Sequence, residues 1–243
     1  MTDTAENTPQ ETPAETGPKR QFYGRRKGKK LRTQQQGAFE SILPAATLVL
    51  PAGDALLDPA SFFDRPVKQV WMEIGFGHGE HLAWHAKNNP DIGFIGCEPF
   101  INGIAALCMQ MREHDLDNIR IWPDDARLLL RRLMPEKLDR LFIINADPWP
   151  KKRHHKRRFI QTEMLDTLHG LLKPGAEFRM ATDHADLAGW LAEKTCSHAG
   201  FEWQAQCAAD WQTRPADLPE TKFQNKGLKA GRPTVFFNFT RKG

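Results

Sequence analysis

From Val70 onward, short apolar runs alternate with helix-length amphipathic stretches, and this alternation restricts the fold more than any other feature of the chain. Five such pairs are followed by two apolar runs that no clear helix separates. Repeated strand–helix units favour a parallel sheet with helices on both faces, and two consecutive strands favour an antiparallel end. The sequence therefore predicts an α/β fold with a doubly wound, mostly parallel sheet.

The element boundaries follow from the apolar spacing. The predicted strands are 70–74, 93–97, 119–122, 141–146, 177–182, 201–207 and 234–240. The predicted helices are 80–88, 102–114, 126–134, 158–172 and 185–199. Lys173, Pro174 and Gly175 are expected to end the fourth of these helices before the fifth strand begins.

The segment before Val70 divides by charge. Residues 1–18 contain four acidic and no basic side chains and are predicted to form a disordered acidic tail. Removing these four negative charges from the net charge of +4 leaves +8 on the rest of the chain. We expect a basic arm over residues 19–36 and a single domain over 37–243, in which the proline-interrupted segment 37–68 has no assigned structure.

Basic side chains concentrate in that arm and in a second run at 151–158, and Phe22 and Tyr23 lie within the first. Charge runs are commonly solvated surface. Two such runs with aromatic side chains alongside favour a polyanionic partner, because neutralised phosphates release counterions. Nucleic acid is therefore the expected partner.

Other classes are disfavoured. The apolar runs are too short to span a bilayer and the N-terminus lacks the features of a signal peptide, so we expect a cytoplasmic protein. The cysteines contain no paired zinc-ligand motif and are expected to be reduced, mostly buried thiols, with no metal implied; they are Cys97, Cys108, Cys196 and Cys207.

A glycine-rich turn follows the first predicted strand. Gly75, Gly77 and Gly79 precede a predicted helix, where glycine lets a ligand approach the backbone and the helix N-terminus closely. The pyrophosphate-binding motif of dinucleotide folds has its third glycine one residue later, and Glu73 would repel a pyrophosphate. That carboxylate suits a sulfonium or amino group. A tight turn without a ligand is the alternative interpretation.

Two further acids follow the next strands. Glu98 is placed to accept hydrogen bonds from the hydroxyls of a ribose, and Asp125 is placed to recognise an adenine amino group. Each has a structural alternative, since strand-end glutamates are common and aspartate is a favoured helix N-cap. Together with Glu73 they indicate a positively charged adenosine ligand, a description that S-adenosylmethionine fits.

The most specific stretch begins at Asp147, at the carboxyl edge of the fourth strand, where doubly wound folds bind ligands. Two prolines stiffen this loop, and Trp149 either stacks on a base or packs beneath the loop. A rigid carboxylate beside a basic run suits a group that reads a base within a polyanion. Asp183 is either a further acid of this edge or an N-cap, and 221–227 is either a substrate loop or a plain connection.

These residues closely resemble the bacterial tRNA (guanine-N7-)-methyltransferases of the TrmB type. The resemblance extends from about residue 22 to the end; its motifs are 73–80, Glu98 with Gly103 and Ile104, 147–151, 153–158 and 221–224. It implies a Rossmann-like class I methyltransferase fold with seven strands, the last antiparallel. It also implies S-adenosylmethionine as cofactor and N7 of guanosine 46 in the tRNA variable loop as target.

The resemblance assigns roles to individual residues. The cofactor site would comprise Glu73, Gly75, Gly77, Gly79, Glu98, Asp125 and Asp147, with Asp147 also catalytic. Substrate binding would fall to Lys151, Asp183, Thr221, Lys222, Phe223 and Gln224. RNA contacts would come from Arg153, His154, His155, Lys156, Arg157 and Arg158. The chain departs from the family pattern in having Gln224 where Glu is usual and Asn145-Ala146 in place of an aromatic residue and proline.

Three other functions remain open. The first is a methyltransferase acting on another RNA base, since the loop loosely resembles that of amino-group methyltransferases, although Trp149 separates the two prolines. The second is a nucleotide-binding dehydrogenase, which the glycine spacing and Glu73 disfavour. The third is a non-catalytic RNA-binding module, which the strand-end acids disfavour. The sequence does not indicate the oligomeric state.

Overall fold

The computed structural model describes residues 22–243, so the expected acidic tail and the first residues of the basic arm lie outside the described residues. The strands are β1 Gln69–Ile74, β2 Ile92–Cys97, β3 Ile119–Trp122, β4 Leu138–Ile144, β5 Leu172–Thr182, β6 Phe201–Trp203 and β7 Val235–Arg241. The helices are α1 Thr33–Ala46, α2 Glu80–Asn88, α3 Ile101–His114, α4 Ala126–Leu130, α5 Thr162–Leu171, α6 Ala185–Cys196, α7 Ala209–Gln212 and α8 Lys222–Lys229. Short 3₁₀ turns cover Pro59–Phe62 and Lys152–Arg157.

The strands of residues 22–243 form one sheet in the order β3-β2-β1-β4-β5-β7-β6. Strands β1 to β5 pair in parallel, and β7 is antiparallel to both β5 and β6. The predicted fold class is therefore confirmed: a seven-stranded, mostly parallel sheet with an antiparallel final strand. Because the chain reverses its strand order at β1 and β4, the loops that follow these two strands flank the point where doubly wound folds bind ligands.

The central strands are buried on both faces, as expected where helices cover both sides of a parallel sheet. In β1 and β2, five of six residues are buried. Met72 and Leu141 belong to the core on one face, and Trp71 and Phe94 belong to the core on the other. This packing fixes the carboxyl ends of the strands, on which the site is built.

Several boundaries differ from the sequence-based expectations. The unassigned lead-in contains the end of α1, which packs on α3 despite the internal Pro44. Helix α5 begins at Thr162 because the residues before it form a 3₁₀ turn, and β5 starts at Leu172 and continues through Gly175, where the ladder with β4 is irregular. Helix α4 ends at Leu130 and β6 at Trp203, both earlier than expected.

The expectation of mostly buried thiols is correct for Cys97 and Cys108, whereas Cys196 and Cys207 are exposed. Each exposed cysteine lies beside an element end, Cys196 as the last residue of α6 and Cys207 just before α7. No helix within residues 22–243 has the length and apolarity required to cross a membrane.

Gly103, near the start of α3, allows that helix to lie directly against the glycine-rich turn. A Cβ at this position would overlap the Gly77 carbonyl oxygen, a backbone atom that cannot rotate away. Gly103→Ala is expected to lower the free energy of unfolding by about 1–3 kcal/mol through overpacking. Urea denaturation of the variant measures the loss.

Gly189→Ala in α6 is the matched control, because an added Cβ there meets nothing within 4 Å. Alanine loses less conformational entropy than glycine when a helix folds, so Gly189→Ala should raise the free energy of unfolding by about 0.5–1 kcal/mol. Equal stability of Gly103→Ala and the unsubstituted chain would contradict the close approach of α3 to the turn.

Candidate active site

The glycine-rich turn forms one wall of a cavity of about 1160 Å³ at the carboxyl ends of the strands. Gly75 and Gly77 have φ angles of 76° and 57°, a left-handed backbone that favours glycine. A Cβ at either position would meet no atom within 4 Å, so the backbone there borders open space. Helix α2 begins at Glu80, immediately after this turn.

Glu98 joins the glycine turn to the start of α3. One carboxylate oxygen accepts a hydrogen bond from the Gly77 N–H and the other from the Phe100 N–H, both at 2.9 Å. The residue is buried, and this burial raises the pKa of Glu98 to about 7, with the Asp147 and Glu73 carboxylates acting in the same direction. Each oxygen keeps a lone pair for a further donor.

Glu73 is buried and takes part in a chain that the sequence analysis did not predict. His81 Nδ1 lies 2.8 Å from a Glu73 oxygen, and the Nε2 atoms of His81 and His85 lie 3.1 Å apart. Burial lowers the pKa of His85 to about 2, so this ring is neutral. Both contacts are satisfied when His85 donates to His81 and His81 donates to Glu73, and equally when His81 donates to both neighbours. The four-residue spacing of the histidines in α2 was the available signal.

Asp125 lines the cavity and also caps α4. Its side chain accepts hydrogen bonds from the backbone N–H of Arg127 at 3.1 Å and from the Arg127 guanidinium at 3.2 Å. The structural alternative in the sequence analysis is thus present, and it is compatible with a position on the cavity wall. Asp124 next to it pairs with Arg26 of the arm at 3.2 Å.

Asp147 lies in the loop after β4 and on the wall of the same cavity. It is exposed there, while the cavity walls partly remove water from its carboxyl and so raise its pKa. Asn145 and Trp149 on either side have φ angles of 55° and 43°, which non-glycine residues rarely adopt. The buried Asn145 Oδ1 has no hydrogen-bond partner among residues 22–243.

The basic segment continues this loop as a 3₁₀ turn over Lys152–Arg157, in which residues three apart share a side. Arg153 and Lys156 form the exposed side. His154 and Arg157 form a second side against Trp149, with the His154 ring 5.9 Å and the Arg157 guanidinium 5.0 Å from its ring centre. Trp149 thus contacts side chains of the protein and also lines the cavity, so both of its predicted environments remain open.

The third side faces α6. The His155 ring lies 5.5 Å from Trp190, and Arg158 is 1% exposed. The Arg158 guanidinium bonds to the Pro148 carbonyl oxygen and to Asp186. Arg158 is thus closed to an RNA phosphate, unlike the exposed cations of the same run.

The residues expected to bind substrate are distributed around the cavity mouth. Thr221 and Gln224 form a capping box at the start of α8, so the predicted loop is a helix. Thr221, Lys222 and Phe223 line the cavity, and Phe223 is 54% exposed. Asp183 lies outside the cavity wall and pairs with Arg232 at 3.0 Å, while His184 is the N-cap of α6.

Part of the basic arm is ordered against α3. The Gly28 N–H donates to Asn102 Oδ1 at 2.8 Å, and Asn102 Nδ2 donates to the Lys29 carbonyl at 2.6 Å. Residues 22–25 complete the rim of the cavity. The arm thus borders the cavity while Lys27, Lys29 and Lys30 stay exposed.

Comparison with known proteins places this site in a family. Residues 67–237 match a family model described as "Putative methyltransferase". A tRNA (guanine-N(7)-)-methyltransferase of Rhodospirillum rubrum is 45% identical over 91% of this chain and 88% of its own length. Its counterpart in Mesorhizobium japonicum is 43% identical over 97% of this chain and 100% of its own. The chain belongs to the tRNA (guanine-N7-)-methyltransferase family.

Solved structures agree with the fold of this methyltransferase. The 16S rRNA methyltransferase KamB has a TM-score of 0.54 at 17% identity, covering 73% of this chain and 89% of its own. A second, an antibiotic-related methyltransferase, has a TM-score of 0.51 at 19% identity, covering 72% and 88%. At these identities the likeness concerns the fold.

Membership in the family implies a methyl donor of the S-adenosylmethionine type, and the residues of the enzyme fit it. Such a donor carries a sulfonium and an ammonium group, and Glu73, Glu98 and Asp147 surround one cavity with carboxyl groups. The unobstructed backbone at Gly75 and Gly77 leaves room for a ligand at the start of α2. The cavity is large enough for the donor and a nucleobase together.

The raised pKa of Glu98 makes the stability of the methyltransferase pH-dependent. Its pKa is about 7 in the folded chain against an ordinary 4.5, so between these values the unfolded chain has lost a proton that the folded chain retains. This contribution to the free energy of unfolding is therefore fully present below about pH 4.5 and is lost as the pH rises to 7. Glutamine at position 98 cannot titrate. Between pH 5 and pH 8, the free energy of unfolding of Glu98→Gln should therefore rise by about 2 kcal/mol relative to that of the unsubstituted enzyme.

Urea denaturation of both proteins across this range measures the difference, and Glu202→Gln on the exposed edge of β6 is the control. Parallel pH profiles for the Glu98 variant and the unsubstituted enzyme would show that Glu98 titrates normally.

Proposed function

We propose that this enzyme transfers the methyl group of S-adenosylmethionine to N7 of guanosine 46 in the variable loop of tRNA. The observation that carries the proposal is the position of Asp147, which lines the cavity shared with Glu73 and Glu98 and directly precedes an exposed basic segment. The names of the curated relatives support tRNA guanine N7 as the target class.

In this proposal each carboxylate binds a different group of the donor. Glu73, whose first oxygen is held by His81, directs its remaining oxygen to the donor's ammonium group. Glu98 accepts the ribose hydroxyls with the lone pairs that the backbone leaves open. Asp125, at the start of α4, accepts from the adenine amino group. The backbone of the glycine turn lies against the donor between Glu73 and Glu98.

Bound S-adenosylmethionine supplies an electrophilic methyl group on a positively charged sulfur. Guanine N7 has an in-plane lone pair and no proton, so the protein has no general base to provide. Its contribution is in-line orientation of N7 and electrostatic stabilisation as positive charge passes to the purine. Asp147 is suited to both roles because its residue lines the cavity in which the purine edge would lie.

The cavity mouth provides the surface for the rest of the tRNA. Exposed cations follow the Asp147 loop and occur on α8, where Lys222 is 95% exposed on its side chain. Phe223 beside it is an exposed aromatic ring suited to stacking on a base. Phosphate contacts from these cations would orient the RNA, and the cavity would select the base.

The test is methyl transfer from labelled S-adenosylmethionine to two tRNA transcripts that differ only in having G or A at position 46. Incorporation into the G transcript alone, recovered as N7-methylguanosine, is the expected result. Asp147→Asn should lower the single-turnover rate about 10²–10³-fold because the neutral amide no longer stabilises the cationic purine. The melting temperature should stay close to that of the unsubstituted enzyme, since Asp147 is exposed.

Asp54→Asn, an exposed carboxylate change outside the cavity, is the control and should leave the rate unaltered. Incorporation into both transcripts would move the target to another nucleotide. Donor binding without any incorporation would overturn tRNA as the substrate. A near-normal rate for Asp147→Asn would remove Asp147 from catalysis.

The arm is expected to add affinity without sequence choice. Lys27, Lys29 and Lys30 are exposed next to the segment that borders the cavity. Replacing all three with glutamine should weaken tRNA binding and reduce the slope of log K against log salt by about 2–3, as each lost phosphate contact removes about 0.7–0.9. The single-turnover rate at saturating tRNA should not change.

Filter binding at several salt concentrations measures this slope. The same three-charge change at Lys68, Lys137 and Lys173, near the amino ends of strands β1, β4 and β5, is the matched control. An equal reduction in both triple variants would mean that overall charge, and not the arm, determines the slope.

A further inference from the structure

Arg158 is a charged side chain that the protein buries completely beside the proposed catalytic loop. Its Nε donates to the Pro148 carbonyl oxygen at 3.0 Å, one residue from Asp147. Its other end forms an ion pair with Asp186 in the first turn of α6. The guanidinium also lies 5.1 Å from the ring centre of Trp190, on the same helix. A buried guanidinium with these partners has its charge and donors committed inside the protein.

The loop that Arg158 holds has a backbone that requires support. Asn145 and Trp149 both have positive φ angles, which non-glycine residues rarely adopt. Asp147 and Pro148 lie in the short segment between these two residues. Such conformations persist where the surrounding structure restrains them. The carbonyl that accepts from Arg158 lies inside this interval, between Asp147 and Trp149.

Further hydrogen bonds hold the segment around Arg158 against the neighbouring helices. Trp190 Nε1 donates to the Ile160 carbonyl at 2.8 Å, and Gln161 Nε2 donates to the carbonyls of His155 and Arg158 at 2.9 and 3.0 Å. The Gln161 bonds join the end of the 3₁₀ segment to the start of α5, and the Trp190 bond joins Ile160, just before α5, to α6. The loop after β4 is thereby positioned by the helix that follows β5.

We propose that Arg158 is a positioning residue that fixes the Asp147 carboxylate through the Pro148 carbonyl, and that it makes no contact with RNA. The proposal rests on the catalytic role of Asp147 proposed above. In the 3₁₀ turn just before Arg158, Arg153 and Lys156 are exposed and accessible to a polyanion. The basic run therefore contains exposed cations and one buried cation.

Arg158→Lys separates the two roles. Lysine keeps the positive charge next to Asp186 but has no Nε–H in the guanidinium plane for the Pro148 carbonyl. The single-turnover rate at saturating donor and tRNA should fall about 10–100-fold, since misplacement of a catalytic group costs orientation. The tRNA dissociation constant should stay within about 2-fold, and its salt slope should be unchanged.

Asp186→Asn is the second variant, at a side chain that is 54% exposed and therefore tolerant of change. It releases the outer end of Arg158 and should reduce the rate in the same direction by a smaller factor, again with normal tRNA affinity. Lys156→Gln is the matched comparison for an RNA contact: it should weaken tRNA binding and lower the salt slope by about 1, the two quantities that Arg158→Lys should leave unchanged.

Ile119→Val in β3 is the control for lost stability, because the substitution is buried but lies away from the loop. Its single-turnover rate should be normal at a temperature where the variant is folded.

A normal single-turnover rate for Arg158→Lys would overturn the positioning role. A rate loss no larger than that of an equally destabilised Ile119→Val would also overturn it. Weakened tRNA binding at an unchanged saturated rate would do so in favour of an RNA contact. If the unsubstituted enzyme methylates N7 and Asp147→Asn is slowed as expected, these outcomes concern Arg158 alone. A near-normal rate for Asp147→Asn would instead contradict the role of Asp147 in the proposed function.

Discussion

The site depends on the parallel register of β2, β1, β4 and β5. Glu73 lies opposite Gly96 of β2 and Phe142 of β4, and Ile144 lies opposite Ala181 of β5, so these strands end at nearly the same level. Parallel strands place every following loop at one edge. The glycine turn, Glu98 and the Asp147 loop come from positions far apart in the sequence, and this shared edge brings them to one cavity.

This convergence has an electrostatic consequence. Glu73 and Glu98 are buried, and the carboxylates of Asp147 and Glu73 raise the pKa of Glu98 together with its desolvation. Like charges in a poorly solvated cavity disfavour one another, and a cationic ligand relieves that repulsion. His81 contacts one oxygen of Glu73, and His85, the next ring of the chain, is neutral. The buried carboxylates therefore favour a cationic group beside Glu73 and Glu98, in agreement with the donor proposed above.

The elements next to this edge were predictable because strong local signals specify them. Helix α2 begins and ends where the spacing predicts, since the glycine turn fixes its start. Helix α1 was missed because Pro44 lies inside it, although Phe39, Ile42, Leu43 and Ala46 have the helical spacing of a face that packs on the core. Helix α8 was missed because its apolar side chains Phe223 and Leu228 are exposed. The Thr221 to Gln224 spacing of a capping box was a usable signal for α8. The four-residue spacing of His81 and His85 was a usable signal for the histidine chain, whereas the burial of Arg158 depends on packing that no spacing rule captures.

The basic run shows why charge alone is a poor guide to RNA contacts. A 3₁₀ turn has about three residues per turn, so consecutive cations must face three directions. Here Arg153 and Lys156 face solvent, His154 and Arg157 contact Trp149, and Arg158 is buried against α6. A run of like charges can therefore combine an exposed cationic surface with a side chain that restrains the preceding loop. In the proposals above, RNA binding and the placement of Asp147 are coupled because both depend on one short segment.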